Sequence, residues 1–79
     1  MTYAELKKLT EGRDLPLAAT SESGENVTIY HRTDIWTYGE TTWNRNYFEV
    51  ITTQRDGWVH HQFFYEDGRY EGFYRTGGL

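Results

Sequence analysis

The groups able to do chemistry in this chain are three histidines, twelve acidic residues and a large stock of rings: three Trp, seven Tyr and four Phe. Cysteine is absent, which excludes thiolate nucleophiles, thiolate metal ligands and disulfides. His60 and His61 are adjacent. In a strand their side chains point to opposite faces, so the pair cannot hold one metal ion. A zinc site would need His31, one of that pair and a carboxylate, and the sequence offers no short ligand-spaced pair. We therefore expect no metal and no cofactor. His61 reads as a core-side residue near Thr52 and Tyr74, and His60 as a surface cross-strand partner.

Among the carboxylates, Glu49 and Glu71 fall on one sheet face in the register derived below, with Phe64 between them. Paired carboxylates beside aromatic rings are the chemistry of a glycosidase cleft. Against that stands the size of the domain: 79 residues give little depth to enclose a substrate and exclude water. A serine elbow, a phosphate-binding loop and a dinucleotide fingerprint are all missing. The expectation is a non-enzymatic protein with no catalytic residue.

The rings carry more weight. Trp36, Tyr38 and Trp43 lie in an irregular segment, and Trp58, Phe64 and Phe73 fall on the second sheet face. Large rings with a polar handle favour interfaces. These six are the candidate partner-binding residues. The competing reading is structural: Leu, Ile, Val and Phe make only 15 of 79 residues, so a chain poor in aliphatics could use its rings as core.

The elements that must position these groups follow from the patterning. Thr2 and Glu5 form a T-x-x-E capping box, Tyr3, Leu6 and Leu9 share a face, and Gly12 suits a helix C-terminus; a helix is expected over about 2–11. So short a helix needs a sheet to lie on. Strands are expected at about 15–20, 26–32, 44–54, 58–65 and 69–76, with Pro16 confining the first to an edge or to its own start. Residues 15–32 read as a hairpin around Ser21-Glu22-Ser23-Gly24. Two Asp-Gly pairs, at 56–57 and 67–68, mark the turns of a three-stranded meander. Residues 33–43 read as loop with room for a short strand at 35–38, and the Gly77-Gly78-Leu79 tail as frayed.

Taking both Asp-Gly pairs as two-residue turns sets the faces. Phe48, Val50, Thr52, Val59, His61, Phe63, Tyr65, Tyr70 and Tyr74 would form the core face. Tyr47, Glu49, Ile51, Thr53, Trp58, His60, Gln62, Phe64, Glu71, Phe73 and Arg75 would form the other. A three-residue loop with a glycine bulge would shift these pairings. The second face carries more apolar surface than solvent calls for. Either segment 33–43 folds over it, or the sheet curls on itself, or a partner covers it. The fold class is α+β: one domain over 1–79, a short N-terminal helix on a mostly antiparallel five-stranded sheet that could curl toward a small barrel.

Charge narrows the partners. The net charge is −4, and each half of the chain carries six acids and four bases. A basic stripe for nucleic acid is missing, which argues against that partner even though bases could stack on the rings. The N-terminus lacks a secretory pattern and no stretch reads as a membrane span, so the expected setting is cytoplasmic. The resulting expectation is a module that binds a protein, or a second copy of itself. The alternative is a carbohydrate-binding module that stacks sugars on its rings beside Asn44, Asn46, Gln62 and Glu71.

Overall fold

Thr2 opens the helix α1 (Tyr3–Thr10), its hydroxyl oxygen accepting the amide of Glu5 at 3.2 Å. The other half of the capping box is not made. The Glu5 carboxylate instead accepts the amide of Glu22, 2.8 Å away in the first hairpin turn, and so ties the helix to the sheet. Gly12 follows the helix at φ +68°, the left-handed geometry that ends it. The computed structural model describes residues 1–77, with the side chain of Glu71 outside that description; the expectations for that side chain and for Gly78 and Leu79 fall outside it too.

Five strands follow: β1 (Leu17–Thr20), β2 (Asn26–Tyr38), β3 (Thr41–Thr53), β4 (Trp58–Tyr65) and β5 (Tyr70–Gly77). They form one antiparallel sheet in the order β1-β2-β3-β4-β5, an open meander that does not close into a barrel. The α+β class therefore holds. The molecule is a slab, 46 × 35 × 19 Å, with the helix on one face only. Among the described residues no helix is long and apolar enough to cross a membrane.

Two expectations are corrected. The first concerns residues 33–43, which are strand. β2 and β3 pair without interruption from Asn26↔Thr53 to Tyr38↔Thr41, closed by the two-residue turn Gly39-Glu40. Gly39, at φ +62°, supplies the left-handed first position that such a turn requires. The second correction concerns register. Each Asp-Gly closes a three-residue loop. Gln54 N–H donates to Trp58 O and Gly57 N–H to Gln54 O, and the pattern recurs at Tyr65, Gly68 and Arg69. Gly57 and Gly68 take φ +87° and +93° as the bulge residues. The pairing becomes Thr52↔His60, Val50↔Gln62 and Phe48↔Phe64, one residue away from the two-residue-turn register. A one-residue slip moves every β4 side chain to the opposite face.

The core face accordingly holds Val27 and Ile29 of β2, Phe48 and Val50 of β3, and Phe64 of β4. Leu6 of α1 lands on it with no exposed surface, a burial that contributes about 2 kcal/mol. Tyr3 extends the cover: its ring lies 6.3 Å from Phe64, and its hydroxyl donates to the Glu66 carbonyl at 2.6 Å. Leu9, Leu15 and Ala19 close the margin.

Candidate functional site

The face opposite the helix has no layer over it among the described residues. It carries the even-numbered side chains of β2 and, in register with them, the odd-numbered ones of β3 and β4. Two clusters organise this face.

The first sits where β2 and β3 run past the end of β4 as a two-stranded arm. Trp36 and Trp43 are directly opposed and stack, with centroids 6.0 Å apart and planes 19° apart. Arg45 is the hub. It donates to Asp34 and to the Tyr65 hydroxyl, both at 3.1 Å. Its guanidinium lies 5.9, 5.5 and 5.7 Å from the ring centres of Trp36, Tyr47 and Tyr65. The Tyr47 hydroxyl donates to Asp34 at 3.4 Å. Burial pushes the Tyr47 phenol up from its ordinary value, and the Asp34 carboxylate adds to that. Between Trp43 and the β4–β5 turn lies a groove of about 460 Å³, lined by Asn44, Asn46, Tyr65, Asp67 and Arg69 among others.

The second cluster is a hydrogen-bonded line across β2, β3, β4 and β5. Glu49 is 6% exposed, a buried carboxylate on a sheet face that no helix covers. It accepts from Arg32 Nε at one oxygen and from His61 Nδ1, at 2.8 Å, at the other. A carboxylate can only accept, so the proton of that bond resides on Nδ1. The other ring nitrogen, Nε2, hydrogen-bonds with the Thr76 hydroxyl, 3.0 Å away. Burial works to raise the Glu49 carboxyl. The bonds from His61 and Arg32, with the charge of Arg32, outweigh it and hold the group below its ordinary range. The bond to Glu49 likewise raises Arg32. Tyr74 lies flat on His61, 4.3 Å away and 5° from parallel, and Phe63 continues the stack at 5.6 Å.

Thr76, His61 and Glu49 thus reproduce a hydroxyl–imidazole–carboxylate line. Nucleophilic catalysis also needs a walled site, with donors aimed at a developing oxyanion. The line lies on an open slab face, with Thr76 exposed and Tyr74 covering the ring. It reads as a brace that fixes the face. Among the described residues no group of three or more potential metal ligands occurs.

The structure divides the six sequence-derived residues. Trp36, Tyr38 and Trp43 share the uncovered face on the arm, and all three are exposed. Phe64 does not join them: it is 3% exposed, sealed under Tyr3 in the core, because the three-residue loops turn it to the helix side. Trp58 and Phe73 also lie on the helix side, toward the β5 edge. Arg75 sits 4.7 Å over Trp58, and Phe73 meets His60 edge-on at 4.8 Å. Sequence reasoning missed Arg45, Tyr65 and the Arg32–Glu49–His61 line. Their only signal was the register, which places His61 opposite Ile51 and diagonal to Glu49. His61 does meet Tyr74, as expected, though on the uncovered face and not in the core.

No protein-family model, curated protein or solved structure matches this chain.

Proposed function

We propose that this chain is a non-enzymatic interaction module that docks a protein partner on the uncovered sheet face, through Trp36, Tyr38, Trp43, Arg45, Tyr65 and Tyr74. One observation carries the reading. The rings and charges of this face are locked to one another across four strands before any partner arrives. Binding then costs little side-chain ordering, and aromatic and arginine groups are those that concentrate binding energy. The reading places the protein in the cytoplasm, consistent with a cysteine-free chain.

A photo-crosslinking residue at Trp43 or Tyr74, with Lys8 on the exposed helix side as control, tests this in cells of the source organism. The expected result is one protein captured from both face positions and not from Lys8. Capture patterns identical at all three positions overturn the reading.

The groove beside Trp43 favours a second reading, a carbohydrate held by ring stacking and by the amides of Asn44 and Asn46. A glycan panel read by Trp fluorescence separates the two: the protein-docking reading expects no response.

A further inference from the structure

The uncovered face differs from the rest of the surface in charge. The chain as a whole carries −4. Among the described side chains, the strands place four charged groups on this face: Arg32, Asp34, Arg45 and Glu49. They are paired within the protomer, Arg32 with Glu49 and Arg45 with Asp34, and they sum to zero. The acidic excess of the remaining described residues lies elsewhere. Two copies that meet through any other surface bring like charge together, whereas this face approaches its own image without repulsion.

Its polar groups are also satisfied from within. The Tyr47 hydroxyl donates to Asp34, and the Tyr65 hydroxyl accepts from Arg45. Glu49 uses one oxygen on Arg32 and the other on His61, whose second nitrogen meets Thr76. Groups bonded in this way lose water at little cost. They leave few donors and acceptors to offer outward. The face therefore suits a flat, aromatic surface of zero net charge better than an ionic or richly hydroxylated one. The same face of a second copy has each of those properties, and a two-fold pair needs only that one patch.

The area is adequate. About twenty outward positions, each spanning roughly 33 Å² of sheet, give about 660 Å², and protruding rings raise this toward the ~800 Å² per partner of a standard interface. Antiparallel sheets pack face to face about 10 Å apart with strands within about 30° of each other. We infer that the occupant of the uncovered face is a second copy of this chain, the two sheets stacking about a two-fold axis into a sandwich with the helices outermost. This rests on the docking reading and names its partner.

β5 supplies a matched test. Tyr74 and Phe73 are neighbours, 45% and 58% exposed, on opposite faces: Tyr74 on the uncovered face opposite His61, Phe73 on the helix side opposite Gln62. Tyr74→Glu and Phe73→Glu add the same charge, so general repulsion is equal in the two variants. Sedimentation velocity up to about 1 mM compares them. The wild type is expected to sediment at twice its 9.4 kDa mass. Tyr74→Glu should weaken association about tenfold or more by placing an unpaired carboxylate between the sheets, and Phe73→Glu should leave it within about twofold. Circular dichroism verifies each fold, and Trp43→Glu substitutes for Tyr74→Glu if that variant unfolds. A wild type monomeric throughout, a dimer indifferent to both Tyr74→Glu and Trp43→Glu, or one weakened as much by Phe73→Glu overturns the sandwich. A monomeric wild type that still captures another protein from both Trp43 and Tyr74 overturns the sandwich and leaves the docking reading standing.

Discussion

Replacing Glu49 by Gln removes the charge at the centre of the brace while keeping its shape. The amide oxygen can still accept one bond, but the amide nitrogen then opposes a second donor. His61 is well covered, its side chain 14% exposed, and a bond from it to a charged group contributes about 1.5 kcal/mol. Arg32 is 43% exposed, so solvent screening reduces its share to about 0.5 kcal/mol. The sum is roughly 2 kcal/mol, which in a domain of this size lowers Tm by about 8–16 °C. Glu49 also carries a pH signature. Its carboxyl is held below its unfolded value, so its stabilisation is complete above the unfolded range near pH 4.3 and drains away as pH falls through the folded value. Glu49→Gln lacks that component, so the gap between variant and wild type should be widest at pH 7 and narrow toward pH 3. Thermal unfolding followed by circular dichroism across that range measures both quantities. A variant within about 2 °C of wild type at pH 7, or a gap constant with pH, would refute the reasoning.

Two glycines separate backbone strain from crowding. Gly57→Ala meets open space and should cost about 1 kcal/mol from its positive φ alone. Gly68→Ala carries the same strain and also sets a methyl 3.2 Å from the Tyr3 ring, so about 2 kcal/mol is expected; equal losses in urea unfolding would show that Tyr3 yields freely. The Thr76–His61–Glu49 line should hydrolyse p-nitrophenyl acetate no faster than Thr76→Ala does, and a rate that drops with Thr76→Ala would show that the line is catalytic.

Much of the scaffold is legible in the sequence, and the failures have physical causes. The helix was found through Thr2 and Gly12, and the meander through its Asp-Gly turns. Those turns signalled a hairpin without fixing its loop length. The third loop residue was settled by Asp56 and Asp67, whose side chains accept the amides of Trp58 and Arg69 and stabilise the bulged form. The single added residue reassigned Phe64 to the core and His61 to the uncovered face. Segment 33–43 read as loop because none of its side chains enters the core, so no apolar alternation marks it. Its strands are held by cross-strand pairs: Trp36 with Trp43, Asp34 with Arg45, Thr33 with Asn46 and Thr37 with Thr42. Of the six candidate residues, the three on this arm share the uncovered face, and they are the ones whose environment the sequence described least well.

A helix on one side only makes this sheet a two-coloured tile. Along the middle strand, positions 48, 50 and 52 answer to the fold, while 43, 45 and 47 answer to whatever lies outside. The division follows parity, so drift on the outer set leaves the inner set undisturbed. Glu49 alone breaks that freedom, being buried on the outer side. A saturation library over residues 47–53 of β3 should therefore tolerate change in a stripe that skips every second residue, interrupted once, at the glutamate.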